Sequence, residues 1–149
     1  MNAVLENLYV SRDLFSSLFG QVCTKYSLTP AEVLVLLFLA NNREYDTAKD
    51  IVDKLRIAKS HVSVSVKNLE ERGYLEGRYQ ENNRRTIHLR LCELSGDAVA
   101  EARRVQERFL AVLGQGFSEE ELAVFTNYLR RVNGNMNAYL KNNASGKEE

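Results

Sequence analysis

The feature that most constrains the fold is a change of hydrophobic period at Gly73. Before this glycine, apolar residues recur at the spacing of one helix face, and they are Val62, Val66 and Leu69. After it, apolar and polar residues alternate as on the two faces of a strand, with Ile87, Leu89 and Leu91 on the apolar side. The central segment therefore passes from helix to β-hairpin.

Local signals predict the boundaries of this segment. Thr47 stands three residues before Asp50, a hydroxyl-then-carboxylate pattern that is typical of a helix N-terminus. A helix of about two turns follows to Leu55, and a tight turn at residues 56–58 separates it from a second helix over residues 59–72. The two strands are predicted over residues 74–80 and 86–91, and the turn between them over residues 81–85.

The rest of the chain is predicted to be helical, over residues 4–26, 30–40, 95–113 and from about 119 onward. The last helix has apolar residues in regular 3-4 spacing, which suits packing against another helix. This C-terminal stripe consists of Leu122, Phe125, Leu129, Val132, Met136 and Tyr139. The fold class is therefore mainly α with a small β-hairpin wing (α+β).

Two short helices, a tight turn and a hairpin form the layout of a winged helix-turn-helix, whose second helix enters the DNA major groove. Opposite its apolar stripe, the second helix presents residues that are small, polar or cationic, which suits close approach to DNA. The candidate DNA-binding residues of the two helices are Thr47, Lys59, Ser60, His61, Ser63, Val64, Lys67 and Asn68. A merely solvated helix face is the alternative interpretation of the same pattern.

The basic hairpin favours DNA. Arg84 and Arg85 lie in the predicted turn, where they could grip phosphate or enter the minor groove, although charges also protect exposed strand edges. The formal net charge of the chain is zero, but residues 56–90 contain eight cations and four anions. A local excess of this kind is typical of a surface that neutralises phosphates.

Other classes of protein find little support. The chain has no glycine-rich phosphate loop, HExxH or GxSxG motif, and its two histidines are His61 and His88, so we expect neither an enzyme nor a bound cofactor. Two cysteines, Cys23 and Cys92, are too few and too far apart for a zinc site. No apolar run reaches membrane-spanning length and the start lacks a secretory pattern, which together predict a cytoplasmic protein without a membrane partner.

The sequence resembles the MarR family of bacterial regulators over nearly its whole length. The resemblance lies in the segments DIVDKL from Asp50, KSHVS from Lys59, VKNLEERGYL from Val66 and NRR from Asn83. It implies a homodimer in which residues 1–27 and 95–142 are dimerisation helices around a winged-helix lobe at residues 28–94. Residues 143–149 would be a disordered tail of this single domain.

Three positions depart from the family pattern. Asn83 stands where the family usually has an aspartate that stiffens the wing, Ala58 replaces the usual serine cap of the recognition helix, and Cys92 replaces a threonine. A missing cap costs about 1 kcal/mol. These changes concern the rigidity of the wing and leave the expected mode of DNA binding intact.

The resemblance implies a transcriptional repressor of a near-palindromic double-stranded operator, released by a small aromatic effector. Two alternatives stay open: a winged-helix module that binds protein, and a redox-sensing regulator that uses Cys23 near Lys25. A buried cysteine with a purely structural role is the commoner case. No ligand-binding residue is indicated by the sequence.

Overall fold

The structure is a computed structural model that describes residues 2–144. In chain order the elements are α1 (Ala3–Tyr26), α2 (Pro30–Asn41), α3 (Ala48–Leu55), α4 (Lys59–Glu71), β1 (Leu75–Gln80), β2 (Asn83–Leu91), α5 (Gly96–Gly114) and α6 (Glu119–Ala144). A short 3-10 turn, Glu93–Ser95, precedes α5. The predicted fold class, helices with one antiparallel hairpin, is confirmed.

Local capping determines where the helices begin and end. Thr29 and Thr47 both form complete capping boxes, in which the hydroxyl accepts from the third helical N–H and the carboxylate of that residue accepts from the cap N–H. Ser27, at φ 52°, ends α1 in the left-handed region. Gly73, at φ 72°, turns the chain after α4, where a residue with a side chain would be strained.

The hairpin turn is shorter than the predicted turn at residues 81–85. Only residues 81–82 form it, and β2 already begins at Asn83, so Arg84 and Arg85 lie in the strand. The side-chain oxygen of Asn83 accepts the N–H of Arg85 at 3.0 Å, and the register shifts between Tyr79 and Gln80. This local side-chain bond and the irregular register bring the pairing closer to the tip than alternation alone indicates.

Helix α6 continues to Ala144, two residues into the segment predicted as a disordered tail. The side-chain amide of Asn143 donates to the Tyr139 carbonyl one turn earlier. Residues 145–149 of the predicted tail lie outside the described residues.

The core is built around α2, which is apolar and buried on nearly every side. Helix α1 contributes Phe19 and Val22 to the core, and α3 contributes Ile51. In α4, Val62 and Leu69 are buried as predicted, Val66 is half-buried, and Ser65 is a buried member that the apolar pattern missed. Truncating a fully buried leucine of this kind costs about 2–5 kcal/mol, so these contacts determine how α4 sits on the core.

The chain divides into two compact units. The first, Met1–Phe109, contains the helix-turn-helix and hairpin together with α1 and most of α5. The second, Leu110–Glu149, contains the end of α5 and α6, where the Phe117 and Phe125 rings stack at 6.4 Å. Within residues 2–144 no single helix is long and apolar enough to cross a membrane; α1 and α2, bent by 93°, meet that criterion only as a pair.

Candidate nucleic-acid interface

The outer face of α4 is exposed along its length. Val64 is 58% exposed, and the Lys67 ammonium lies 4.0 Å from Glu71, too far and too open to hold the lysine in place. The other exposed candidates on this helix are Lys59, Ser60, His61 and Ser63. Short side chains and two lysines therefore form the exposed surface of α4.

Asn68, which the sequence places among the DNA-binding candidates, has a different partner. Its side-chain amide donates to Oε1 of Glu32 at 3.1 Å, and Glu32 is only 4% exposed. The other oxygen of Glu32 accepts the N–H of Thr29 in the α2 capping box. Asn68 thus satisfies a buried carboxylate and joins α4 to the start of α2, so its side-chain amide is already committed to one structural hydrogen bond.

Thr47 is likewise committed to structure. Its hydroxyl donates to Asp50 at 2.7 Å and accepts the Asp50 N–H at 3.1 Å. The hydrogen bond from Thr47 lowers the pKa of the Asp50 carboxyl, because it favours the charged form. This hydroxyl determines where α3 begins, and it could reach DNA only by leaving the cap.

The wing presents both predicted arginines to solvent. Arg84 and Arg85 are exposed near the start of β2, and neither side chain has a hydrogen bond or ion pair within residues 2–144. Asn83 cannot form the ion pair expected of an aspartate, but its amide contacts the Thr86 hydroxyl at 3.5 Å and its oxygen accepts from Arg85. The tip is therefore ordered by neutral side-chain contacts within one strand.

Two carboxylates that the sequence did not single out attach the wing to the helices. Glu70 of α4 accepts the N–H of Gly77 on β1 at 3.0 Å. Asp46, before α3, contacts Nδ1 of His88 at 2.7 Å, and its backbone carbonyl accepts the N–H of Leu89 at 2.7 Å. Each strand of the hairpin is thus held to the helix-turn-helix from a different side.

Arg72 differs from the other cations of the basic segment because its guanidinium is bound to the end of α1. Its guanidinium donates to the carbonyls of Ser27 at 2.8 Å and Tyr26 at 2.6 Å, and it lies 4.6 Å from the centre of the Tyr74 ring. These carbonyls end α1, so Arg72 caps that helix and complements its dipole. Its charge contributes to the local excess of cations, but its guanidinium N–H groups already bind the end of α1.

Helix α4 starts without a side-chain cap, as the sequence predicts. Ala58 has a non-helical backbone, φ −55° and ψ 138°, and no side-chain hydrogen bond to the helix. The first N–H groups of α4 are consequently left for water or for a bound anion such as a DNA phosphate.

The environment of Cys23 does not favour a thiolate. Burial raises its pKa, and the Glu32 carboxylate raises it further, while only a backbone hydrogen bond opposes them. Lys25, which could have stabilised the charge, forms an ion pair with Glu101 at 2.7 Å. Lys25 is therefore paired with another carboxylate and is not available as the activating cation that the sequence suggested for Cys23.

Comparison with known proteins agrees with this geometry. The sequence profile of the MarR family matches residues 26–86, which include α2 to α4 and the start of the wing. Residues 26–86 form a MarR-family winged helix. The HTH-type transcriptional regulator YdgJ of Bacillus subtilis is 26% identical over 117 residues, which are 78% of this chain and 70% of YdgJ.

Solved structures of MarR-family and other bacterial regulators share the fold. A MarR-family transcriptional regulator from Listeria monocytogenes, crystallised with 26mer DNA, has a TM-score of 0.81 at 24% identity and covers 91% of this chain and 89% of its own. BpsR of Bordetella bronchiseptica, whose DNA binding is regulated by 6-hydroxynicotinic acid, has a TM-score of 0.69 at 21% identity and covers 87% and 98%. The MarR-family relatives are transcriptional regulators.

Proposed function

We propose that this MarR-family protein is a homodimeric, sequence-specific regulator of transcription that binds double-stranded DNA. It would act as a repressor on a near-palindromic operator and leave it when a small molecule binds. The observation that carries the proposal is that the outer face of α4 and the arginines of β2 are both exposed, in a segment with twice as many cations as anions.

The two surfaces have different roles in this proposal. Ser60, Ser63, Val64 and Lys67 would face base edges, because short side chains let the helix backbone approach the floor of the major groove. Arg84 and Arg85 would hold phosphate or enter the minor groove, where contacts depend little on sequence. Lys59 and His61 flank the first turn of α4, whose uncapped N–H groups suit a phosphate.

The proposed dimer rests on exposed apolar residues at both ends of the chain. Helix α6 has no buried residue, and five members of its C-terminal stripe are 44–70% exposed. The start of α1 is similarly exposed at Val4, Leu5 and Leu8. Apolar surface on this scale is typical of an interface between copies, and two-fold symmetry would place two α4 helices about 34 Å apart in successive major grooves.

The proposed release by a ligand is supported by the likeness to BpsR, whose DNA binding a small aromatic acid regulates. A ligand that prefers the DNA-free conformation lowers the apparent affinity for the operator by its differential affinity for the two states. Because this coupling is reciprocal, bound operator lowers the affinity for the ligand by the same factor.

The test of DNA binding is a titration of labelled duplexes, followed by fluorescence anisotropy over a range of salt concentrations. The wild-type protein should bind random duplex with an affinity that falls steeply as salt rises. Replacing Arg84 and Arg85 by alanine should weaken binding to every duplex and flatten the salt slope by about two units. Arg108→Ala together with Arg104→Ala, on exposed positions of α5, is the control of equal charge change. Equal slopes for the two double variants would refute the wing assignment.

A further inference from the structure

The first unit contains a cleft of about 670 Å³ that the sequence did not indicate. The end of α2 with the loop after it, the two strands of the hairpin and the beginning of α5 form its walls. Its charged lining consists of Arg43, Arg78, Arg90, Arg103, His88 and Asp46. Four guanidinium groups thus surround a cleft that contains a single carboxylate.

Two of the four arginines are occupied by neighbouring groups. Arg103 donates to the Ala40 carbonyl at 2.7 Å and caps the end of α2, and Arg78 forms an ion pair with Glu76 at 2.6 Å. Arg43 and Arg90 have no side-chain hydrogen bond or ion pair within the described part of the chain. Two guanidinium groups are therefore available to a ligand, each able to bind a carboxylate through two parallel N–H bonds.

The single carboxylate of the cleft does not neutralise these two arginines. Asp46 is held by Nδ1 of His88 at 2.7 Å, on the same short stretch that pairs with β2. An entering anion would therefore find two unpaired guanidinium groups in a cleft whose only acidic side chain already has a partner. In a partly enclosed site such pairs are screened less than on an open surface.

The remaining walls are apolar. Leu39 and Leu89 are buried core residues that reach the cleft, and Leu91 and Val99 extend the same surface. A fully hydrated inorganic ion would leave this apolar surface in contact with water. A ligand with a compact apolar body would cover it, at about 25 cal/mol for each Å² removed from water.

We propose that this cleft binds a small organic dianion that carries two acidic groups on a compact apolar body, with Arg43 and Arg90 each holding one acidic group. The apolar body would lie against Leu39, Leu89 and Val99. A monocarboxylate would bind only one of the two free guanidinium groups. A dianion would bind both, so the second guanidinium makes the cleft selective for dianions.

A ligand bound in the cleft would affect the wing through β2. Asp46 and His88 form the cleft wall and attach β2 to the helix-turn-helix, and Arg85 lies three residues before His88 on that strand. A negative charge placed beside Asp46 repels its carboxylate and weakens this attachment. This step rests on the proposed function, whereas binding of the dianion does not.

The test measures binding to the DNA-free protein by isothermal titration with phthalate, benzoate and inorganic phosphate as probes. Phthalate and benzoate share one ring and differ by one carboxylate, and phosphate has charge without an apolar body. Phthalate should bind most tightly. Arg43→Gln and Arg90→Gln should each weaken it about tenfold, the effect of one lost charge-assisted hydrogen-bonded pair. Arg108→Gln, outside the cleft, should leave phthalate binding unchanged.

Three results would overturn the proposal. Equal affinities for phthalate and benzoate would contradict the requirement for two acidic groups, and equal affinities for phthalate and phosphate would contradict the apolar body. Unchanged phthalate affinity in both arginine variants would contradict the site itself. Arg43→Lys and Arg90→Lys, which keep the charge and lose the fork, should bind phthalate with intermediate affinity, and thermal unfolding without ligand checks that each variant is folded. Phthalate binding by a protein that binds no DNA would refute the proposed function and support the site.

Discussion

The carboxylate of Glu70 on α4 accepts the backbone N–H of Gly77 on β1 at 3.0 Å. A β-carbon on Gly77 would lie 2.7 Å from the Ile87 side chain and 3.0 Å from the Glu70 oxygen, so only glycine allows this approach. The contact joins β1 of the wing to α4, and so helps to set the distance between the two surfaces that we propose bind DNA.

Glu70→Ala should weaken operator binding relative to Glu70→Gln by about two- to fivefold, because a partly exposed hydrogen bond contributes about 0.5–1 kcal/mol. Both variants remove the same negative charge, but glutamine can still accept from Gly77. The comparison therefore separates the loss of the hydrogen bond from the increase in DNA affinity that removing a negative charge would cause. In a background with Arg84 and Arg85 replaced by alanine the difference should vanish, as a double-mutant cycle by anisotropy would show. A difference that persists in that background would mean that Glu70 does not act through the wing.

Ala58→Ser should stabilise the protein by about 1 kcal/mol, because it supplies the side-chain cap that α4 lacks on a backbone that is already non-helical. Urea unfolding at fixed protein concentration measures the free energy of unfolding. Ala58→Val, which adds a side chain without a hydroxyl, is the control and should not give this gain. If serine and valine behave alike, the first turn of α4 is already satisfied by other groups.

Lys67→Ala should separate base reading from phosphate contact. If Lys67 reads a guanine, its loss costs about 1–3 kcal/mol on the operator and less on mismatched duplexes, whereas a phosphate contact is lost equally on all sequences. Selection of preferred duplexes from a random pool at one salt concentration, with wild type, Ser63→Ala and Lys67→Ala, makes the comparison. Identical preferences for all three proteins would show that this face of α4 does not read bases.

Cys23 should react slowly with alkylating agents at neutral pH. Burial and the Glu32 carboxylate raise the pKa of its thiol, so the reactive thiolate forms only above the ordinary range for cysteine. The alkylation rate of the Cys92→Ser variant as a function of pH gives this pKa directly. Peroxide should leave operator binding of the same variant unchanged. Rapid alkylation at neutral pH would restore the redox-sensing alternative.

Most helix boundaries and the hairpin could be predicted from the sequence because they depend on neighbouring residues. A capping box joins residues three apart, as at Thr29 and Thr47, and a strand shows its alternation within a few positions. Gly73 marked the end of α4 for the same reason. The exposed face of α4 followed from its buried face, since helical period alone relates the two.

The tertiary structure decided which of the candidate polar groups are free. Asn68 and Glu32 are 36 residues apart, Arg72 and Ser27 are 45 apart, and His88 and Asp46 are 42 apart. No local pattern records such pairs, because the partner of a polar side chain depends on how the helices pack and not on its neighbours in the chain. The cleft with Arg43 and Arg90 is of the same kind, since its walls come from α2, the loop after it, β1, β2 and α5, which only the packed core brings together.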